Sequence, residues 1–282
     1  MTDASSGPTA LRILLGTQLR RLREARGLRP HEAAQAIRAT DSKISRMELG
    51  RSAVREIDVV DLLTLYGVTD HAEREEILAL AARSNQPGWW YRYNDLLPDW
   101  LQSYIGLEQA AQSIRTYETQ FVPGLLQAED YASAVMALGH FPAEEMERRV
   151  ALRKERQHRF LEGDLWLWAV IDEAVLHRSV GGPPAMRDQL GYLLEASERP
   201  NLTLQVTPFG SAGHAALTGF SILRFGDPDL PDIVYVEHLT SALYLDKRAD
   251  VDSYLLAMER LAVISASPGE SAELIQAIRR GT

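Results

Sequence analysis

The sequence predicts an all-α N-terminal helix-turn-helix bundle followed by an α+β domain with one mixed or antiparallel sheet. Three observations carry this. Apolar residues recur at helical spacing from Leu11 to Tyr66, broken by short turns. Beyond residue 71, helix-period stretches mix with short alternating or apolar runs separated by Gly, Pro and Asp. Charge divides in the same region: eleven Lys/Arg stand against four Asp/Glu between Arg12 and Arg55, whereas residues 71–282 carry nineteen against thirty. The expected division is a disordered tail over 1–10, a helix-turn-helix domain over 11–70 and an α+β regulatory or dimerisation domain over 71–282.

The elements follow in order. Leu11, Leu14, Leu15, Leu19 and Leu22 give the first helix one apolar face, with Arg12, Arg20, Arg21, Arg23 and Arg26 mostly off it. Gly27 is the expected C-cap. Pro30 suits the first turn of a second helix, where its missing N–H would be unpaired anyway. Ala33, Ala34 and Ile37 form that helix's inner face. Thr40 can cap a third helix through its hydroxyl. Ile44 and Met47 point inward, which leaves Ser42, Lys43 and Arg46 facing out, with Ser45 and Glu48 beside them. Gly50 closes this helix, and Ile57 through Tyr66 complete the bundle.

A helix-turn-helix of this layout can place three or four side chains in a DNA major groove. Ser42, Lys43 and Arg46 are therefore the expected base readers. Arg29, Thr40, Ser45, Arg51 and Arg55 flank them and are expected to grip phosphate. A plain bundle whose basic residues only solvate it fits less well with a +7 segment inside a chain of net charge −9. Double-stranded DNA is the expected partner, bound by a homodimer, because one such unit covers only a half-site.

In the second part, His71 to Ser84 reads as a helix ahead of Pro87-Gly88. The aromatic stretch WWYRYNDLLPDW follows, and then IRTYETQF, which alternates like a strand. Glu129–Leu138 and Ala143–Leu161 read as helices, Leu165–Ile171 as a strand and Pro184–Ser197 as a helix. Four further strand-like runs are Leu202–Pro208, Phe220–Phe225, Ile233–Glu237 and Ala242–Leu245. Helices over Asp250–Ile264 and Ser271–Arg279 finish the chain. The acidic balance of −11 would repel nucleic acid, so this domain is expected to meet a protein, a small ligand or a second copy.

Several classes are disfavoured. No apolar run approaches the roughly 18 residues of a membrane span. The N-terminus lacks the pattern of a signal peptide. The absence of cysteine removes disulfides, thiolate metal sites and a Cys nucleophile, and it fits a cytoplasmic, nucleoid-associated protein. No cofactor is expected, since Gly181-Gly182-Pro183-Pro184 reads as a turn rather than a phosphate loop. Asp172, Glu173 and His177 have spacing suited to acid–base work or metal binding. The simpler expectation is that Asp172 caps a helix and Glu173 supports its N-terminus. Glu237, His238 and His214 form a weaker cluster. No catalytic residue and no metal ligand is assigned. Trp89, Trp90, Tyr91, Tyr93 and Trp100 are candidates to wall a ligand pocket or an interface, against the alternative that they pack a domain joint.

Two resemblances sharpen these expectations. AAQAIRATDSKISRMELGR resembles the Xre, or lambda-repressor-like, helix-turn-helix family: Ala34, Ile37, Ile44, Ser45, Glu48 and Gly50 fall where that family has Ala, Leu, Ile, Ser, Glu and Gly. Pro30 replaces a Gln that often contacts phosphate, and Arg38 replaces a turn Gly, which requires Arg38 to take the turn conformation at some cost or the turn to differ. From Tyr66 onward, runs such as GWWYRY, YIGLEQAAQSIRTYETQFVPGLLQAEDYA, LWAVIDEAVLHRSVGG and VYVEHLTSALYLD resemble the actinomycete WhiJ-like transcriptional regulators. That resemblance implies a regulator of development or antibiotic production, carrying a conserved C-terminal domain of unknown function. It also implies a small BldB-like protein as partner. The other function it implies is an antitoxin-like protein that sequesters such a partner and autoregulates its operon.

Overall fold

The computed structural model describes residues 7–211, 216 and 218–282. His214 and the first six residues of the expected tail lie outside them. The chain divides into two compact units, one comprising residues up to 92 with 102–110 and 226–230, the other residues 93–101, 111–225 and 231–282.

The first unit is helical: α1 (Pro8–Ala25), α2 (Pro30–Ala36), α3 (Asp41–Glu48), α4 (Glu56–Leu65), α5 (His71–Ser84) and residues 102–110 of α6 (Asp99–Ala110). Residues 8–10, expected in the tail, form the first turn of α1, with Thr9 and Ala10 buried. Leu11, Leu14, Leu15 and Leu19 bury the expected face of α1. The helix expected to open the second domain, α5, instead packs on α1. It buries Ile77, Leu80 and Ala81. The Arg12 Nε donates to the Ser84 carbonyl at 3.0 Å. Asn85 pairs through its amide with both backbone groups of Val54.

Four of these helices end in the same way. The N–H two residues beyond the C-cap bonds back five residues, as in Leu28→Arg23, Ala39→Ala34, Arg51→Arg46 and Val68→Leu63. This is the Schellman closure, which needs a left-handed residue after the cap. Gly50 supplies it after α3 with φ 64°. A side chain there would also collide with Ile13 at 2.7 Å. After α2 the position is held by Arg38 at φ 53°, so of the two alternatives left by the sequence Arg38 takes the turn conformation.

One ion pair ties the bundle together. Arg23 Nε and Nη2 donate to the two carboxylate oxygens of Glu48 at 2.6 and 2.9 Å, and its Nη1 donates to the Leu28 carbonyl at 2.7 Å. Both side chains are more than nine-tenths buried, at 7% and 8% exposure. The guanidinium thus holds the end of α1, the loop after it and the end of α3.

The second unit carries a six-stranded mixed sheet. Its strands are β1 (Ala111–Glu118), β2 (Trp166–Asp172), β3 (Leu202–Thr207), β4 (Phe220–Phe225), β5 (Ile233–Glu237) and β6 (Ala242–Leu245), in the order β3-β2-β1-β4-β5-β6. β1, β2 and β3 run parallel, joined through α7 (Glu129–Ala137) and α8 (Ala143–Glu162), then α9 (Glu173–His177) and α10 (Gly182–Ser197). β4, β5 and β6 add antiparallel hairpins. Tyr117, Val170, Phe220, Ile222, Val234 and Val236 line one face. They pack on Val251, Met258 and Leu261 of α11 (Arg248–Ile264). α12 (Pro268–Gly281) packs on α10. The first turn of α12 and the segment before it seal the β3 edge: Val206 donates its N–H to Ser271 Oγ and accepts from Ala266 N, each at 2.9 Å.

α6 was hidden in the sequence. Gly106 sits within it. The structure gives a packing reason, since a Cβ there would lie 2.0 Å from Thr9 Oγ1. Among the described residues no helix is long and apolar enough to cross a membrane.

Two stability predictions follow from the first unit. Arg38→Gly removes a left-handed non-glycine residue and is expected to raise the unfolding free energy by about 0.5–1 kcal/mol in a urea titration. A lower midpoint would contradict the strain. Glu48→Ala leaves a buried guanidinium without its partner and is expected to cost roughly 3–5 kcal/mol. A loss below about 1 kcal/mol would place the pair in the weak class of surface ion pairs.

Candidate nucleic-acid interface

α3 is only eight residues long, so its direction is set by its anchors rather than by its own helical stability. Thr40 caps it, its Oγ1 accepting from the Lys43 N–H at 3.3 Å. Ile44 and Met47 are buried on the inner side. Glu48 is held by Arg23. The opposite side presents Ser42, Ser45 and Arg46 to solvent, with Thr40 at its start. Arg46 Nη1 donates to Ser42 Oγ at 3.0 Å, so the two exposed side chains form one polar unit.

Lys43 is placed differently from its neighbours. Its Nζ donates to Asp58 Oδ2 at 2.6 Å. Arg55 reaches the same carboxylate through Nε at 3.0 Å and Nη2 at 2.5 Å. Asp58 is buried at 2% exposure, while Lys43 is 30% and Arg55 67% exposed. Burial by itself would raise the Asp58 carboxyl, but the hydrogen bonds from Arg55 and Lys43 hold it below the ordinary carboxylate range. A depressed carboxylate stabilises the fold above its unfolded titration range, and that contribution is lost as pH falls through the lowered value. A candidate base reader on α3 and a candidate phosphate grip before α4 thus share one buried carboxylate.

The basic excess of this segment has three parts. Arg12 binds the Ser84 carbonyl, Arg23 binds Glu48, and Arg26 binds the carbonyls of Tyr66 and Gly67. With Lys43 and Arg55, these cations hold helices together. Arg29, Arg38, Arg46 and Arg51 lie exposed around α2 and α3, and Arg20 and Arg21 lie exposed on α1, Arg20 paired with Glu24. Arg29 opens α2, its backbone N–H donating to Glu32 Oε2 at 2.8 Å. Arg51 follows α3, its N–H closing the last turn on the Arg46 carbonyl. Sequence reasoning did not place Arg38, His31 or Gln35 at this surface. His31 Nδ1 lies 3.3 Å from Asp41 Oδ1, and its Nε2 lies 3.0 Å from Gln35 Nε2, which links α2 to the start of α3. The exposed turn residue Arg38 was the one sequence signal available.

The other candidates scatter. Trp90 and Tyr93 are buried, Trp89 and Trp100 half-buried, and Tyr91 exposed. Trp89 and Trp90 meet edge to face with centroids 6.0 Å apart. The Trp100 carbonyl accepts from the Tyr244 hydroxyl at 2.5 Å. None of the five lines the cleft of about 330 Å³ on the second unit, which Gln127, Arg153, Lys154, His158 and Tyr192 help form. Asp172 caps α9, accepting from the Ala174 N–H at 2.9 Å. Glu173 accepts from the Phe209 N–H at 2.8 Å and lies 3.2 Å from His177 Nε2. Glu237 accepts from the Tyr235 hydroxyl.

Residues 14–77 match a helix-turn-helix domain, which covers α2, α3 and α4 and points to DNA binding and to transcription regulation. No curated protein and no solved structure matches the chain. Residues 101–277 match the domain of unknown function DUF5753. The chain therefore belongs to the DUF5753 family, with a helix-turn-helix domain joined to its N-terminal side.

Proposed function

We propose that the chain is a sequence-specific transcriptional regulator that lays α3 in the major groove of double-stranded DNA. The observation that carries this is the exposed pair Ser42 and Arg46, with the exposed arginines Arg29, Arg38 and Arg51 nearby in sequence and on the same helical pair. A guanidinium suits the O6 and N7 acceptors of guanine, so Arg46 reads a guanine. Arg29, Arg51, Thr40 and Ser45 grip phosphate, a task that carries affinity rather than sequence information.

The second unit serves self-association and the reception of a signal or partner. The −11 balance of residues 71–282 supports this division of labour, because it disfavours DNA. A two-fold dimer on a pseudo-palindrome would supply the specificity that one half-site lacks. The cleft with Arg153, Lys154 and His158 is the candidate place for a small ligand. The resemblance to WhiJ-like regulators supports control of development or antibiotic production in an actinomycete cytoplasm, with a small BldB-like protein as partner.

The test uses a duplex selected from a random pool by the full chain. Arg46→Ala is expected to weaken binding to the selected site by roughly 1–3 kcal/mol and to relax preference at one position. Arg51→Gln, as the contrast, is expected to weaken selected and random duplexes alike. Wild-type affinity of Arg46→Ala for both duplexes would overturn the docking.

A further inference from the structure

Among the described residues of the first unit, Asp58 is the one carboxylate that holds two of the cations assigned to DNA from the sequence. Its neighbours come from different elements: Lys43 from the outward flank of α3, Arg55 from the turn before α4. Three N–H donors converge on its two oxygens, at 2.6, 3.0 and 2.5 Å. The carboxylate is 2% exposed, so it does not compete for solvent or for a phosphate itself. Lys43 at 30% exposure is committed to it, while Arg55 at 67% lies along its outer edge. Lys43 lies between Ser42 and Arg46 in the sequence of α3, one position after the first and three before the second. Released, its four-carbon stem would sweep the space in front of that helix. A mobile ammonium there would meet phosphate on any duplex, and such contacts supply non-specific affinity.

We propose that Asp58 is a positioning residue that sets specificity: it withholds Lys43 from the DNA backbone, so that α3 engages DNA through Ser42 and Arg46. The proposal rests on the DNA-binding reading above and deepens it. An ammonium tied to a buried carboxylate adds nothing to the counterions released on binding. The same ammonium freed adds about 0.9 unit to the slope of log affinity against log salt. Asp58 thereby lowers the affinity for random DNA more than the affinity for the chosen site. Its second task is mechanical, because the shared carboxylate fixes α3 against the start of α4.

Asp58→Asn in the full chain separates these tasks, since it keeps the size and the acceptor oxygen but removes the charge. Binding to a random-sequence duplex is measured by fluorescence anisotropy at several salt concentrations. The expected result is tighter binding to random DNA, a salt slope steeper by about one unit, and a smaller ratio of selected-site to random-site affinity. Adding Lys43→Gln to Asp58→Asn is expected to return the slope to the wild-type value. An unchanged slope in folded Asp58→Asn would overturn the proposal, and so would a double variant that keeps the steep slope. If Asp58→Asn does not fold, Lys43→Gln alone decides. Withheld from phosphate, it is expected to leave the random-DNA slope unchanged, and a slope lower by about one unit would overturn the proposal. A wild-type chain that binds no duplex would instead overturn the DNA-binding reading itself.

Discussion

The geometry of the first unit depends on the buried pair of Arg23 and Glu48. α3 is too short to persist by itself. Its orientation must come from contacts at both ends, and Glu48 supplies the C-terminal one. The five guanidinium donors of an arginine form a rigid fork, and here three bonds go to two partners, Glu48 and the Leu28 carbonyl. Desolvation of both charges offsets much of their attraction. The gain is therefore orientation: an apolar pair of similar volume could fill the space but would not fix the angle of α3 to α1. Met47 and Ile44 fill the space between the helices, and the ion pair selects one packing among those they allow.

Charge in this unit does two kinds of work. Before folding, the cations of the segment from Arg12 to Arg55 look alike. Folded, Arg12, Arg23, Arg26, Lys43 and Arg55 are spent on carbonyls and carboxylates within the unit. Of the remainder, Arg20 and Arg21 lie exposed on α1, and Arg29, Arg38, Arg46 and Arg51 lie exposed on or beside the two helices that would face DNA. A charge count thus overstates the phosphate-binding surface. Arginine serves both purposes because it stays ionised when buried and presents a fork to carbonyl or carboxylate.

Local rules made most elements legible. Apolar spacing marked α1, α4 and α5, and Thr40 and Gly50 marked the ends of α3. β4, β5 and β6 were readable because Gly, Pro and Asp punctuate them. The strand order was not readable, since placing β4 beside β1 is a choice made by packing across more than a hundred residues. α6 was given no element in the sequence, and its Gly106 serves a close approach to Thr9. At the candidate interface, helical periodicity gave the outward direction of Ser42 and Arg46. It could not give the partner of Lys43, because Asp58 lies fifteen residues away on another helix. Arg23 and Glu48, separated by twenty-five residues, were invisible for the same reason.

The central claim is that α3 meets base edges in the major groove. Methylation interference on the selected duplex tests it most directly, because guanine N7 faces the major groove and adenine N3 the minor groove. Docking by α3 predicts that N7 methylation at the guanine opposite Arg46 abolishes binding while N3 methylation leaves it intact. Interference confined to adenine N3 would contradict it.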